Sequence, residues 1–409
     1  MAGHRKKSID KNVYELAKER IRHAYNLFDD IWVSFSGGKD STAVLNTTLE
    51  IAKEKGRLPL NVFFFDEEAI PYQVEHYVRR VIKTQPVNLK WYCLPLKQRN
   101  GCSVKHKYWY CWDKSVEDKW CRPLPKEAIT SVDWYDYTDI ENRKSIPELM
   151  GGMFPVKKYG NVGVLMGIRA QESMTRMRAV LNREKENYII KHTSSYAGSK
   201  VVNDGNLFKV YPIYDWNTED VWTAPKLFGW DYCEYYDILE MLGISHSSQR
   251  LGPPYGEEPM RSLDTFQETF PELWDKMINR VPGASCASRY SRTDLYGFGG
   301  SGKPDGIPWN DYIKHLLTKH PEKDRQDIAS RIKSFIEQHN SKTNNAIILG
   351  NARHPDSGVS WSGLAQIAIR GDMKNRRNPS IKVQAPGSKE NLAMIKKYNK
   401  ELKEYLNAK

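Results

Sequence analysis

Apolar residues fall into two rhythms along this chain. Short unbroken runs stand at Ile31-Trp32-Val33-Ser34-Phe35, at Leu60-Asn61-Val62-Phe63-Phe64-Phe65 and at Asn88 to Leu94. Runs of that length suit strands buried on both faces. Between them the spacing changes. Residues 11–27 carry Val13, Leu16, Ile21, Ala24 and Leu27 on one side, and Thr42 to Lys55 carries Ala43, Val44, Leu45, Leu49, Ile51 and Ala52. Both predict helices, as does the stretch from Pro71 to Lys83, and Gly56 is placed to end the second of them. The order is βαβαβ, which predicts a parallel sheet with helices covering both faces. A fourth strand is expected at Val162 to Gly167, further strands at Tyr188-Ile189-Ile190 and Phe208 to Tyr211, and a helix opening at Asn217-Thr218-Glu219-Asp220.

Residues 97–158 break this pattern. They are rich in aromatic and cationic residues, including Tyr108-Trp109-Tyr110-Cys111-Trp112, Trp120, Trp134 and Tyr135. An irregular, partly helical insertion is expected. Its aromatics either stack bases or form a local core in a segment short of aliphatics, and the core is the plainer reading. The glycine-dense stretch Gly297–Gly306 reads as a linker. It divides an α/β domain at 1–296 from a basic, mostly helical region at 307–409, with Ile307 to His339 helical and a last charged helix at 388–409.

Composition narrows the class. The chain has 409 residues, 40% hydrophobic and 27% charged, as expected of a globular protein in water. No stretch reaches the length of apolar sequence that spans a bilayer, and the basic N-terminus leads into no apolar segment, so a cytoplasmic protein is expected. Six cysteines without a C-x-x-C pair suit a reducing compartment. Cys102, His106, Cys111 and Cys121 lie close together, but their spacing matches no common zinc pattern, and ordinary thiols are the preferred reading. The net charge is +12, and residues 301–409 hold 20 Lys/Arg against 11 Asp/Glu. That bias fits a polyanionic partner such as nucleic acid, or a solvated basic surface.

The richest chemistry follows the first strand, at Ser36-Gly37-Gly38-Lys39-Asp40-Ser41. Two glycines between a strand and a helix let backbone approach a ligand closely. The helix start offers N–H groups and a positive dipole end to an anion. Ser36 and Ser41 add hydroxyls, Lys39 a cation, and Asp40 a carboxylate suited to Mg²⁺ beside a polyphosphate. The Walker spacing of glycine and lysine is absent. After the fourth strand, Gly167, Arg169, Glu172, Ser173 and Arg176 place two guanidinium groups at the same sheet edge. If that stretch is helical, Arg169 and Arg176 share a face, with Glu172 between them.

These strings resemble a known family. S-G-G-K-D-S is similar to the PP-loop of the adenine nucleotide α-hydrolase superfamily. Gly167-Ile168-Arg169 through Arg176 resembles the second signature of the phosphoadenosine-phosphosulfate (PAPS) reductase-like proteins. Pro212-Ile213-Tyr214-Asp215-Trp216, running on to Asp220-Val221-Trp222, resembles their third. The tract Gln249 to Gly256 resembles the IbrA-type branch, whose members are encoded beside a ParB-like, sulfiredoxin-fold protein. The resemblance implies a Rossmann-like (HUP-like) fold binding ATP or PAPS. It implies that Ser36 to Ser41 hold the phosphates, that Ser34 belongs to the nucleotide-binding set and that Asp66 lies near the ribose or adenine. Gly167, Arg169 and Glu172 would line the nucleotide, and Arg176 would contact phosphate or sulfate. Asp40, Asp66 and Glu68 are the carboxylates for Mg²⁺, while Glu67 and Glu68 depart from the small residues usual after that aspartate.

The reductases' C-terminal E-C-G-L-H string is missing, and so are the adjacent cysteines that hold an iron–sulfur cluster, so no cluster is expected. Cys286, near Arg289 and Arg292, is the one candidate thiol. The main expectation is therefore an enzyme that cleaves ATP between its α and β phosphates and adenylylates an acceptor, with Lys39, Asp40 and Arg169 catalytic. Sulfur transfer and nucleic-acid modification are the candidate settings. The alternatives are a thiol-dependent PAPS reductase or sulfotransferase, and a nucleotide-sensing regulator acting with a ParB-like partner or DNA.

Overall fold

A computed structural model describes residues 9–370 apart from 104, 182–187, 193, 197–198, 202–205, 247, 257–262, 291–302 and 305. The described chain divides into two compact units that part after Ser291. Most of the glycine-rich linker expected at 297–306 lies outside the described residues, and the charged helix expected at 388–409 lies wholly outside them.

The first unit opens with α1 (Val13–Leu27), capped by the side chain of Asn12, which accepts the N–H of Tyr14 at 2.8 Å. Then come β1 (Asp30–Phe35), α2 (Lys39–Glu54), β2 (Leu60–Phe65), α3 (Tyr72–Thr84) and β3 (Val87–Tyr92). The insertion holds an antiparallel hairpin, β4 (Leu96–Arg99) and β5 (Tyr108–Cys111), followed by short helical turns and helices α4 (Ile146–Met153) and α5 (Val156–Tyr159). Its aromatics form a core: Trp109, Trp112 and Tyr135 are buried. The sheet resumes with β6 (Val162–Met166), α6 (Met174–Leu181) and β7 (Ile189–Lys191). A small hairpin follows, β8 (Ser194–Tyr196) with β9 (Ser199–Val201), and then β10 (Leu207–Val210).

The main sheet has the order β3-β2-β1-β6-β10-β7, and every pairing is parallel except β10 with β7. It is an α/β, Rossmann-like sheet. Burial runs almost unbroken along β1, β2 and β6, as expected of strands covered on both faces. The chain leaves β1 toward β2 and β3 and later returns on the other side as β6. The crevice at a sheet's carboxyl edge opens where the strand order reverses. Here that point lies between β1 and β6, directly under the glycine turn.

Helix α7 (Thr218–Phe228) starts at a capping box in which Asn217 and Asp220 satisfy each other's backbone. It is followed by α8 (Tyr235–Met241), α9 (Leu263–Thr269), α10 (Pro271–Arg280) and α11 (Ala284–Tyr290). Asp215 and Trp216, from the third family-like string, serve the fold. Asp215 takes both guanidinium nitrogens of Arg20 at 2.7 Å. Trp216 is buried and donates its ring N–H to the carbonyl of Val13 at 3.1 Å. Together they pin α1 against the start of α7.

The second unit, as described, has α12 (Trp309–Leu317), α13 (Glu322–Thr343) and α14 (Trp361–Arg370) around a core of Ile313, Ile328, Ile332, Phe335 and Leu364. The helical pattern read at 307–339 appears here as α12 and α13. Six of the nine net positive charges of residues 301–409 fall at 371–409, outside the described residues.

Candidate nucleotide site

The glycine turn bends as its residue types require. Gly37 has φ +73°, and a Cβ there would stand 3.2 Å from a methyl of Val74. Gly38 is the N-cap of α2 and has no side chain to cap it. The first N–H groups of the helix, those of Lys39, Asp40 and Ser41, have no acceptor within the helix. The two serines brace the turn: their hydroxyls lie 3.0 Å apart, and Ser41 Oγ accepts the Ser36 N–H at 3.2 Å while donating to the Gly38 carbonyl at 2.9 Å. Ser36 is exposed, and Ser34, half-buried within β1, pairs in register with Phe63 and Met166.

Gly167 closes the site from the β6 side. A Cβ on it would lie 2.6 Å from the carbonyl carbon of Asp40 and 2.7 Å from the nitrogen of Ser41. Only glycine lets the end of β6 lie against the start of α2. That contact delivers Arg169, which is 2% exposed, to Asp40. Arg169 Nε donates to Asp40 Oδ1, and its NH1 reaches Thr218 Oγ1 at 3.4 Å. Gln171 holds this corner by accepting the Thr218 N–H at 2.8 Å.

Lys39 is also buried. Its Nζ stands 3.9 Å from Asp40 Oδ2 and donates to the carbonyl of Gln249 at 2.5 Å. Burial lowers its pKa, against the opposing pull of Asp40. Asp40 thus sits between two buried cations.

The second arginine behaves differently from the helical expectation. Helix α6 begins only at Met174, so Arg169 and Glu172 belong to the turn before it and share no helix face with Arg176. The Ala170 N–H donates to the Tyr214 carbonyl at 2.8 Å, a partner outside any helix, which holds this stretch extended past the end of β6. Arg176, about one-third exposed, pairs with Glu172, whose carboxyl pKa is raised by burial. Arg250 donates to the carbonyl of Glu172 at 2.9 Å.

The carboxylates after β2 are engaged elsewhere. Asp66 is fully buried, ion-paired with Arg122 and accepting the ring N–H of Trp91 at 2.9 Å. Glu68 is fully buried too. It accepts N–H groups of Trp112 and Cys121 at 2.6 and 3.1 Å, and the Arg280 side chain at 2.9 and 3.0 Å. Both carboxylates have their lone pairs filled by arginines and backbone, a donor set that does not fit Mg²⁺. Among the described residues, no group of three or more His, Cys, Asp or Glu side chains is arranged to hold a metal. Glu67 lies between them, part-exposed, with its pKa pushed up to about 8 by burial and by Asp66.

Five cysteines are buried. Burial raises every one of their thiol pKa values, those of Cys102 and Cys233 to about 12. Cys286 is exposed on α11, and Arg292, read as its neighbour, lies outside the described residues.

Several groups at the site were not singled out from sequence. Thr218 and Gln171 stand inside the quoted strings, but only Gln171 is a sequence neighbour of Arg169, and the fold brings Thr218 to it. Tyr236 carries no local signal, and Gln249 stands in a quoted tract without any sign of its partner, because only the fold brings α8 and its following turn onto Lys39.

Residues 30–240 match the family model described as the phosphoadenosine phosphosulfate reductase domain, and residues 243–347 match a domain of unknown function, DUF3440. The chain is 28% identical over 371 residues to the uncharacterized protein YbdN of Escherichia coli K12, covering 88% of both. Among solved structures it is similar to the PAPS reductase of Candida auris, at 17% identity and TM-score 0.34 over 61% of this chain and 98% of that one. It is also similar to the FMN adenylyltransferase of Candida glabrata, at 14% identity and TM-score 0.34, over 55% of this chain and 57% of that one.

Proposed function

This chain belongs to the phosphoadenosine phosphosulfate reductase domain family, and on that footing we propose that it binds ATP with its phosphates on the glycine turn and cleaves the α–β bond. The observation that carries the reading is the convergence of Lys39 and Arg169 on Asp40 at the start of α2, where the N-cap Gly38 offers no side-chain cap. Phosphate oxygens take the N–H groups of Asp40 and Ser41, where the helix dipole also favours an anion. The ammonium of Lys39 and the guanidinium of Arg169 then offset charge gathering on the leaving pyrophosphate. Such fixed cations in a buried site act by electrostatic preorganisation. Asp40 holds Arg169 in place, and Thr218 and Gln171 fix the other end of that side chain. The AMP moiety passes to an acceptor presented from outside this site as pyrophosphate leaves, and a second nucleophile such as sulfur, amine or water then displaces AMP from the acceptor. Of the three carboxylates read as metal ligands, Asp40 is the one that keeps an opening to solvent.

PAPS as the nucleotide is the second reading, supported by the family itself and by the exposed thiol of Cys286. A cytoplasmic setting, a ParB-like partner and nucleic acid at the basic C-terminal region stand as further parts of the proposal. No helix among the described residues is long and apolar enough to cross a membrane.

The test is product analysis with radiolabelled ATP and Mg²⁺, run for the native chain and for Asp40→Ala. AMP and pyrophosphate from the native chain, lost in the variant, support the reading. PAPS binding with no ATP turnover by the native chain would replace it with the second.

A further inference from the structure

The Lys39 donors at the phosphate site are engaged by a part of the chain that contributes nothing to the sheet. Tyr236, on α8, accepts the backbone N–H of Lys39 on its hydroxyl at 2.9 Å, and its ring lies 5.3 Å from the Lys39 ammonium. The ammonium itself donates to the carbonyl of Gln249. A Cβ on Gly38 would meet the Tyr236 hydroxyl at 3.3 Å and Leu251 at 3.8 Å. The two donors of Lys39 that would greet an anion, its N–H and its ammonium, are therefore both already partnered from residues 236–249.

We infer that Tyr236 and the turn at Gln249–Leu251 are a built-in ligand of the phosphate site, displaced when a nucleotide's phosphates bind. The inference rests on the nucleotide reading above and adds a moving part to it. One N–H cannot serve a phenol and a phosphate at once. The phenol is neutral, its ionisation pushed far up by burial, and the Gln249 carbonyl is neutral as well. A phosphate brings charge to the same donors, and charge-assisted hydrogen bonds are about twice as strong as neutral ones. The exchange therefore favours the anion while remaining costly enough to be felt.

The turn is tied to other parts of the unit. Gln249 Nε2 donates to Glu240 and to the Ile244 carbonyl, and Arg250 donates to the Glu172 carbonyl. Tyr255 accepts the Gly101 N–H of the insertion at 2.9 Å. Displacing it changes contacts with α8, with the turn after β6 and with the insertion together. The turn also lies in the segment matched by the domain of unknown function. Phosphate occupancy would then be passed directly to that segment.

Tyr236→Phe removes the hydroxyl and keeps the ring that packs on Trp222 with centroids 5.0 Å apart. The probe is inorganic pyrophosphate, titrated calorimetrically into native and variant chains. Freeing one buried N–H in the ligand-free state should tighten binding about three- to tenfold, the worth of one hydrogen bond. In the native chain, pyrophosphate should also speed amide exchange at Gln249, whose N–H donates to the Ser245 carbonyl at 3.1 Å. Equal or weaker binding by the variant overturns the inference, and weaker binding makes Tyr236 a direct contact of the ligand instead. Native binding with an unchanged variant removes the built-in ligand and leaves the nucleotide reading standing. No binding by either chain removes both. If Tyr236→Phe does not fold, exchange in the native chain decides, and unaltered protection of the turn on pyrophosphate binding overturns the inference.

Discussion

Glu68 and Arg280 stand 212 residues apart in the chain and meet as a two-pronged ion pair, with Nε to Oε1 at 2.9 Å and NH2 to Oε2 at 3.0 Å. The carboxylate is fully buried and also holds the backbone of Trp112 and Cys121. It therefore ties the end of β2, the insertion and α10 to one point. Removing one partner of a buried pair strands the other charge, at a cost of about 3–5 kcal/mol. Arg280→Met should lower the unfolding free energy by that order in a denaturant titration. Glu68→Gln combined with Arg280→Met should cost less than the sum of the single changes, because neither charge is then left alone. Additive losses would show that the pair is not coupled.

Gly167→Ala tests how closely the sheet edge must approach the glycine turn. Its methyl would overlap backbone atoms of Asp40 and Ser41, which cannot swing away as a side chain can. Overpacking of this kind costs about 1–3 kcal/mol. Because the strain falls on the helix start, the variant should bind ATP at least tenfold more weakly while its melting temperature drops only modestly. Gly56→Ala is the control, since a Cβ there meets nothing within 4 Å, although its φ of +65° makes it mildly destabilising. Equal ATP affinity in the two variants would separate Gly167 from the phosphate site.

The sheet was readable because its strands are continuous apolar runs closed by glycine or acidic residues, and β2 begins and ends where the run Leu60 to Phe65 does. The glycine turn was readable because close backbone approach leaves few residue types that fit. What was not readable is pairing at long range. Asp66 and Glu68 look like open carboxylates in sequence, and nothing local says that Arg122 and Arg280 fill them. Tyr236 on Lys39 is hidden for the same reason. Arg169 and Arg176 seemed to share a helix because their spacing allows it, yet the helix starts only after Ser173, leaving the first arginine free to turn toward Asp40.

Cys286→Ser discriminates between the two nucleotide chemistries. A thiol must ionise to attack sulfur. Burial raises the pKa values of the other five thiols, which leaves Cys286 as the accessible candidate. Under the ATP-cleavage reading, the serine variant should keep full AMP and pyrophosphate production. Sulfite release from PAPS by the native chain in the presence of an added dithiol, which must reduce the cysteine S-sulfonate left on Cys286, would show a reductase if it is abolished in the variant.

Glu67 should make stability depend on pH in an unusual direction. Its pKa rises from 4.5 to about 8 on folding, first through burial and then through the charge of Asp66. Between those two values the folded state holds a proton that the unfolded state has lost. Stability then falls as pH rises through this window, the opposite of a salt-bridged carboxylate. The side chain is partly exposed, so solvent reduces the effect, and a contribution of about 2 kcal/mol by pH 8 is reasonable. Glu67→Gln keeps the shape without the titration. It should unfold at a higher temperature than the native chain at pH 8 and at nearly the same temperature at pH 4.5. A melting difference that is constant across this range would mean that Glu67 stays ionised in the folded protein, with a cation or water reaching it beside Asp66.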